Sequence, residues 1–493
     1  MINSINNNDV GLVQGNWHYP NPETNAGFHP STRYPEYPFA EISTEDNSAY
    51  DSVRQLFHQL GLDAEHYGTP QWNPLSELIQ PNDNVVLKPN FVRHHHRLGK
   101  PIECVITHGS IIRAIMDYVW IALQGKGAII VADAPQGDTN FNKLMVVNGL
   151  DTLFEYYQKK RTETLSIELR DLRKEWTVYR HGGVIWERIK LQGDPDGYIT
   201  VPLDQDSEYA SVKNKNYYGA DYDRDKTRQF HNEKQNRYNI ARTILNSDVF
   251  ISIPKLKVHR KVGVTLNIKN LIGINGEKNY LPHFTVGSPD KGGDEFSNDT
   301  FNNKIDRKLK DFLLWKHHSW GKYAYVGWHA IDKFILRRFQ SKQNFVKGDW
   351  WGNDTTWRSA LDLTKVVLYA DKNGVMQETP QRRYFSIIDG IIGGEGEGPL
   401  TPDPINSGLI IGGANPLLVD IAATTVIGID WQKVKMFTSA FVLSKYKIHN
   451  NDTNRIKWHS NIPDYQGNAP LMLFRPPSGW LNHVELDKNS LAE

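Results

Sequence analysis

The sequence predicts an α/β protein with a mostly parallel central sheet, helices on both faces, an antiparallel β insertion and a helical insertion. Apolar runs of strand length alternate with helix-like stretches in residues 84–135, and the same alternation returns in residues 237–428. A strand, a helix and a second strand form a βαβ unit, which normally crosses over right-handed onto a parallel sheet. The 493 residues suffice for one such sheet with large insertions.

The first part of the chain predicts an arm followed by a βαβ unit. Residues 1–46 are rich in Asn, Pro and aromatic side chains, which favours an extended arm on the surface. Residues 47–163 form the first α/β portion. Its predicted elements are a helix near 47–60, the strand NVVLKPNF (84–91), the helix SIIRAIMDYVWIAL (110–123) and the strand GAIIVADAP (127–135).

In residues 164–236 the α/β pattern gives way to strand-like segments, which predict a β-rich insertion with a loop. Three strand-like segments, one of them interrupted by a Gly-Gly turn, are typical of antiparallel pairing. These segments are LSIELRDL, WTVYRHGGVIWERIKL and YITVPL. Residues 204–236 are charged and rich in tyrosine, which indicates a loop.

The remaining sequence returns to the α/β pattern around a second interruption. Residues 237–284 predict an α/β core with the helix NIARTILNS, the strand DVFISIP and the helix VTLNIKNLIG. Residues 285–353 predict a helical insertion that contains RKLKDFLLWKHHSW and AIDKFILRRFQ. Residues 354–445 form the final α/β portion, with the helices TTWRSALDLTKVVLYA and PLLVDIAATTVIG and the strands YFSIIDG and GLIIGGA, and residues 446–493 are a C-terminal extension.

Composition excludes several classes of protein. The 57 basic and 56 acidic residues nearly cancel, so overall charge gives no indication of a nucleic-acid partner. The single cysteine, Cys104, rules out an internal disulfide and a cysteine-held metal cluster. No uncharged apolar run is long enough to span a bilayer, and the polar N-terminus lacks the pattern of a secretory signal. We therefore expect a cytoplasmic protein, whose oligomeric state the sequence leaves open.

Polar side chains follow four of the predicted buried strands. Each is individually typical of a turn or a helix N-cap, but the carboxyl ends of parallel strands meet at one edge, where ligands usually bind. The residues concerned are Lys88 and Asn90, Asp133, Lys255 and Lys257, and Asp389. Together they predict one shared cleft for a small-molecule ligand.

The segment after Lys257 adds basic and amide groups to this cleft. In a helix, Thr265 and Lys269 share one face, and Asn267 and Asn270 stand three residues apart. Glycines beside lysines are suited to holding phosphate or carboxylate, although no P-loop or dinucleotide-binding motif is present. The predicted substrate-binding residues are Lys88, Asn90, Lys255, Lys257, Asn267, Lys269, Asn270 and Lys278. The predicted catalytic residues are His259, His283 and Asp389, as general bases or proton carriers.

Acidic residues suggest a possible divalent metal. Asp133, Glu395 and Glu397 are the predicted ligands, because carboxylates beside glycines suit a hard cation, although a surface turn has the same appearance. The run His94–His96 is better explained as an exposed loop. Asp420 is either a charge in the first turn of its helix or a buried partner for a lysine.

The assembled blocks resemble the domain-of-unknown-function 362 family. The resemblance rests on VVLKPNF, IIVADAP, ISIPKLKVHRKVGVTLNIKNLIG with its trailing GEK and His283, SIIDGIIGGEGEGP and NPLLVDIAATTVIG. It implies a shared α/β body and cleft. Many relatives carry a ferredoxin-like cysteine module, but one cysteine holds no such cluster, so no iron–sulfur cofactor is expected. GNDTTWRSALDL also resembles members found among bacterial cell-surface polysaccharide genes.

The leading hypothesis is an enzyme that acts on an anionic or polyhydroxylated small molecule. Phosphorylated, carboxylated and sugar-like ligands all match the predicted lysines, and transferase, lyase and epimerase chemistry remain open. The alternative is a non-catalytic binding or assembly protein, in which lysine–acid pairs close the cleft. A redox role, as described for cluster-bearing relatives, is the third hypothesis.

Overall fold

The strands form one large mixed sheet and three two-stranded sheets. A computed structural model describes residues 7–180, 184–220, 223–298, 300–312, 321, 323–324, 326–327, 345–449 and 456–486. The strands are β1 (Asp9–Gln14), β2 (Asn84–Pro89), β3 (Gly127–Asp133), β4 (Leu165–Asp171), β5 (Glu175–Arg180), β6 (Val184–Lys190), β7 (Tyr198–Pro202), β8 (Tyr217–Gly219), β9 (Arg237–Ala241), β10 (Val249–Ile253), β11 (Lys255–His259), β12 (Gly263–Val264), β13 (Pro282–Thr285), β14 (Arg383–Glu397), β15 (Thr401–Gly413) and β16 (Lys457–Ser460).

Helices precede, separate and follow these strands. They are α1 (Ser48–Gln59), α2 (Gly109–Leu123), α3 (Phe141–Val147), α4 (Leu150–Lys160), α5 (Arg224–Phe230), α6 (Arg242–Leu245), α7 (Leu266–Asn270), α8 (Phe301–Lys310), α9 (Thr356–Tyr369), α10 (Pro416–Val426) and α11 (Lys435–Phe441). Local sequence explains where several begin. The side-chain oxygen of Asn415, for example, accepts hydrogen bonds from two backbone N–H groups at the start of α10, where Pro416 needs no partner.

The central sheet is mostly parallel. Its strand order is β16-β1-β15-β14-β10-β2-β3-β4, with β11 added beside β14 and β12 beside β11. The pairs from β14 through β10, β2 and β3 to β4 are parallel, whereas β15 is antiparallel to both β14 and β1. The predicted parallel sheet is thus confirmed, with antiparallel strands at one side.

Two apolar cores cover the two faces of this sheet. Along β2, Val85 and Leu87 face one core, and Val86 faces the other. The first core contains side chains of α1, α2 and α4, and the second contains side chains of α7, α9 and α10. Because both faces are covered, β2 and β10 read as nearly continuous apolar runs, as buried parallel strands do. The prediction of helices on both faces is confirmed.

Several local predictions were wrong: residues 204–236, predicted as a loop, contain β8 and α5, and three further errors share one cause. Residues 9–14 of the predicted surface arm form β1, an inner strand between β15 and β16. LSIELRDL forms β4, which pairs in parallel with β3 instead of joining the antiparallel insertion. NIARTILNS is not all helix, because residues up to Ala241 pair with β7 before α6 begins. In each case pairing with a distant strand overrides the local pattern.

The two insertions are partly described. β5 and β6 pair antiparallel, as the strand pattern around the Gly-Gly turn predicted, and β7 pairs antiparallel with β9, which was predicted as helix. In the second insertion, α8 lies within the predicted helical region. Most of RKLKDFLLWKHHSW and all of AIDKFILRRFQ lie outside the described residues. Within the described residues, no helix combines the length and the apolar character needed to cross a bilayer.

Candidate functional site

A cleft of about 630 Å³ opens beyond the carboxyl ends of β2 and β3. Thr265 before α7, the end of α7, the loop that follows it, the turn after β11 and part of β13 form much of its walls. Clefts of this size hold small molecules, and this edge of a parallel sheet is their usual position. The predicted residues that line it are Lys88, Asn90, Asp133, His259, Lys269, Asn270, Lys278 and His283. Residues from distant parts of the chain are therefore brought together here.

An ion pair between two adjacent strands forms the floor of the cleft. Lys88 Nζ lies 2.6 Å from Asp133 Oδ1, and both side chains are almost fully buried. Lys88 also donates to Asn270 Oδ1 at 3.1 Å and to the carbonyl oxygen of Pro89 at 2.9 Å. Burial lowers the pKa of Lys88, and the carboxylate of Asp133 opposes that shift. Asp133 is thus a partner for lysine and not a separate metal ligand.

Gly273 allows the backbone to approach this ion pair. A Cβ atom at this position would stand 2.1 Å from Asp133 Oδ1 and 2.7 Å from Lys88 Nζ. No other residue type fits in that space without moving the pair. The N–H of Ala134 donates to the Gly273 carbonyl oxygen at 2.8 Å, which fixes the loop after α7 against the end of β3.

The carboxylate of Asp420 holds α7 in place. It accepts hydrogen bonds from the backbone N–H groups of Asn267 and Ile268, at 2.8 and 2.9 Å, and from the Asn267 side chain. Asn267 therefore points at α10 and away from the cleft, contrary to its predicted role. Asp420 is neither in the first turn of α10 nor an ion-pair partner of lysine in the described structure. Burial raises its pKa to about 7.

Lys269 is a buried lysine with no acidic partner among the described residues. Its side chain lines the cleft, as does that of Thr265 one turn earlier, as predicted from their spacing. Among the described residues, no carboxylate lies within ion-pair distance of Lys269 Nζ, whereas Lys88 has Asp133 and Lys261 has Asp349 at 2.8 Å. Burial, followed by the charges of neighbouring lysines, lowers the pKa of Lys269 to about 7.

Two neutral imidazoles present opposite hydrogen-bonding groups to the cleft. The Nδ1 atom of His259 accepts the backbone N–H of Lys261 at 3.1 Å, so the proton of the neutral ring is on Nε2. The Nδ1 atom of His283 lies 3.0 Å from the Leu281 carbonyl oxygen and must donate to it, which leaves Nε2 as an acceptor. His259 thus offers a donor and His283 an acceptor.

The surrounding charge keeps both rings neutral. Burial and the adjacent lysines lower the pKa of His283 to about 3, and that of His259 falls well below its ordinary 6.5. A bound anion would offset the lysine charges and raise both pKa values. The imidazoles are therefore set to take up protons when an anion occupies the cleft.

Cations outnumber acids around the cleft. Eight lysine and arginine side chains line it: Lys88, Arg93, Arg97, Arg260, Lys261, Lys269, Lys278 and Lys347. Three aspartates line it, and each already contacts a cation: Asp133 with Lys88, Asp138 with Arg93, and Asp349 with Lys261. The cleft is therefore electropositive although the chain as a whole is nearly neutral.

Sequence reasoning missed several members of this lining. Arg260 and Lys261 directly follow His259, so their position next to a predicted site residue could have identified them. Arg93 and Arg97 stand on either side of the histidine run and also line the cleft. Asp349 precedes Trp350 and Trp351 in the sequence and contacts Lys261 at the cleft. No local pattern reveals Asp138, which is brought in by the loop after β3.

Besides Asn267, three predicted substrate-binding or catalytic residues lie outside the cleft. Lys255 and Lys257 are buried, as is Asp389, and none of them lines it. Lys255 pairs with Asp389, and Lys257 donates to the carbonyl oxygens of Val105 and Pro399. Lys255 and Lys257 share one face of β11 with His259, since alternate residues of a strand face the same way. Only the last member of this row reaches the cleft.

The predicted metal ligands do not come together. Glu395 and Glu397 accept hydrogen bonds from the backbone N–H groups of Arg475 and Ser478, at 2.9 and 2.8 Å, and so attach the C-terminal extension to β14. Within the described part of the chain, no three His, Cys, Asp or Glu side chains form a group suited to a metal ion. In the histidine run, His95 is exposed and His96 donates to the Pro402 carbonyl oxygen.

Fold and site together define an α/β protein with a cationic cleft at the carboxyl edge of its sheet. Residues 206–425 match the family model described as "Domain of unknown function (DUF362)". The match contains β10, β11, α7 and the β14–β15 hairpin, so the resemblance is confirmed over this segment. The blocks around Lys88 and Asp133 precede it. No curated protein and no solved structure matches the chain.

Proposed function

We propose that this protein is an enzyme that binds an anionic small molecule in the cleft beyond β2 and β3. The carrying observation is Lys269, a buried ammonium that lines the cleft with no carboxylate in ion-pair distance among the described residues. A buried charge without a partner is costly, and a bound anion offsets that cost. The surplus of lysine and arginine around it supports the same conclusion.

Polar groups beside these cations suit a ligand that also carries hydroxyl groups. Asn90 Oδ1 and Thr265 Oγ1 are buried without a hydrogen-bond partner in the described structure, and both residues line the cleft. Unmade hydrogen bonds at buried atoms are costly, so a ligand that supplies them gains affinity. A phosphorylated or carboxylated, sugar-like molecule supplies both an anion and hydroxyl groups.

His259 and His283 are the proposed proton carriers. The acceptor Nε2 of His283 can take a proton, and each imidazole can give one after it has been protonated beside a bound anion, as transferase, lyase and epimerase reactions require. Asp389, in its closed contact with Lys255, is not part of this set. A purely structural lysine–acid network is less well supported, because open volume remains beside the paired residues.

Calorimetric titration with inorganic phosphate and with pyrophosphate tests the anion site. Lys269→Met should weaken binding by about 10- to 100-fold, the usual loss for one hydrogen bond to a charged group. Lys372→Met is the matched control, since Lys372 is exposed on a distant turn. Equal affinities in wild type and Lys269→Met would refute the site. Untargeted mass spectrometry of small molecules that co-purify with wild type, and not with Lys269→Met, would identify the ligand.

A further inference from the structure

We infer that Lys269 is a nucleophile, and that its amine forms an imine with the carbonyl carbon of an anionic aldehyde or ketone. This inference rests on the proposed anion site and narrows its substrate class. Lys88 and Lys261 each have an acidic partner, which favours the protonated ammonium. Lys269 lacks one within the described residues, so no carboxylate there holds its amine in the protonated form.

The surroundings of Lys269 favour the neutral amine, which is the reactive form. The groups that bear on it are Lys88 from β2, Lys257 and His259 from β11, Lys261 from the following turn, Lys278 from the loop after α7, and His283 from β13. All are cations or neutral imidazoles. The acid on the floor of the cleft, Asp133, is paired with Lys88.

The effect on reactivity is large. The pKa of Lys269 is lowered from 10.5 to about 7 by burial and by Lys278, Lys261 and Lys88. At neutral pH about half of this side chain is unprotonated, compared with roughly one part in 3,000 for an ordinary lysine. Catalytic lysines that form imines are activated in this way, by an apolar environment or by an adjacent cation.

The two imidazoles assist the proton transfers that imine formation needs. The Lys269 nitrogen forms a bond to the carbonyl carbon, and the carbonyl π electrons move to oxygen, which accepts a hydrogen bond from His259 Nε2–H. His283 Nε2 takes one proton from the attacking nitrogen and passes it to this oxygen, which gives a carbinolamine. The second proton of the amine follows the same route through His283, the carbon–oxygen bond breaks as the oxygen leaves as water, and a carbon–nitrogen double bond remains. Amine and carbonyl give imine and water, with no oxidant or reductant consumed.

Borohydride trapping tests this chemistry with pyridoxal 5′-phosphate, an anionic aldehyde, as the probe. Borohydride reduces an imine to a stable secondary amine, and peptide mass spectrometry locates the added mass on the full-length protein. We expect modification of Lys269 at neutral pH, ahead of exposed lysines such as Lys372. Pyridoxal, which lacks the phosphate, should modify Lys269 far less. Labelling should rise through about pH 7, the pKa of Lys269, and not near 10.5.

Lys269→Arg separates charge from nucleophilicity, because arginine keeps the cation and cannot form the imine. The variant should lose labelling at this position, and Lys372→Arg, at an exposed lysine outside the cleft, should keep it. The proposal is overturned if wild-type labelling shows no preference for position 269, falls mainly on Lys261 or Lys278, or begins only at strongly alkaline pH. These outcomes are read from wild type and do not depend on how the variant folds.

Phosphate binding distinguishes the two levels of failure. If wild type binds inorganic phosphate but Lys269 is not trapped, the anion site stands and the imine is refuted. If neither phosphate binding nor trapping is found, the proposed function fails together with this inference.

Discussion

Lys255 Nζ lies 3.1 Å from Asp389 Oδ2 in an ion pair without exposed surface, and the hydroxyl of Tyr19 joins the two. That hydroxyl donates to Asp389 Oδ1 and accepts from Lys255 Nζ at 2.7 Å. The backbone N–H of His108 also donates to Asp389. A residue of the N-terminal arm therefore completes a charged network between β11 and β14, and the network is a structural one.

Removing the Tyr19 hydroxyl should destabilise the fold. Tyr19→Phe leaves Asp389 and Lys255 each with one hydrogen bond fewer in a buried site, and we expect a loss of about 1–3 kcal/mol in the free energy of unfolding. Urea unfolding followed by circular dichroism measures it. Tyr67→Phe is the control, since the Tyr67 hydroxyl accepts one hydrogen bond from Arg54 on the surface. Equal effects of the two substitutions would contradict the role of Tyr19.

The Lys88–Asp133 pair should behave as a coupled unit. Lys88→Met leaves a buried carboxylate uncompensated, and Asp133→Asn leaves a buried ammonium, so each should cost about 3–5 kcal/mol of folding free energy. The double variant should cost clearly less than the sum, because neither charge remains. Urea unfolding of the four proteins gives the coupling energy. Strictly additive losses would mean that the two side chains do not depend on each other.

The backbone approach at Gly273 should be intolerant of a methyl group. In Gly273→Ala the new Cβ overlaps Asp133 Oδ1 and the end of Lys88, so the ion pair or the loop must shift. Gly61→Ala is the matched control: Gly61 has open space around it but a φ of +67°, so only the left-handed backbone is penalised, by about 1–2 kcal/mol. We expect a larger loss at Gly273, together with weaker phosphate binding in calorimetry. A smaller loss than at Gly61 would show that the loop is easily displaced.

The fold was predictable where the local hydrophobic pattern matches the position of the strand in the sheet. The site was predictable only where its residues directly follow the carboxyl end of a strand. The apolar runs of β2, β3 and β10 placed Lys88 and Asp133 correctly, because buried parallel strands carry their own signal. The fate of Asp389 was not predictable in this way. Its position after an apolar run is equivalent to that of Lys88, but β14 continues to Glu397 and pairs with β11, which buries Asp389 within the sheet.

Long-range contacts also determine which polar residues reach the cleft. Asn267 and Asn270 stand three residues apart, a spacing that places side chains on one face of a helix. However, Asn267 donates to the Asp420 carboxylate, whereas Asn270 Oδ1 accepts from Asn90. Asp138 and Asp349 enter through loops whose path the sequence does not specify. For Asn267 and Asn270, the partner that the side chain finds lies more than a hundred residues away in the chain.

Asp420 should make stability depend on pH in an unusual direction. Burial raises its pKa from 3.8 to about 7, so the folded protein binds a proton that the unfolded chain has released between these two values. Its contribution to folding stability therefore falls as pH rises from about 4 to about 7. We expect the stability of wild type relative to Asp420→Asn to decrease across this range in urea unfolding. Asp371, whose pKa is lowered by hydrogen bonds from Val375 and Asn373, should show the opposite sign, with a contribution that is lost as pH falls. A wild-type advantage over Asp420→Asn that grows with pH would mean that the hydrogen bonds to Asn267 and Ile268 outweigh burial and keep the carboxylate ionised.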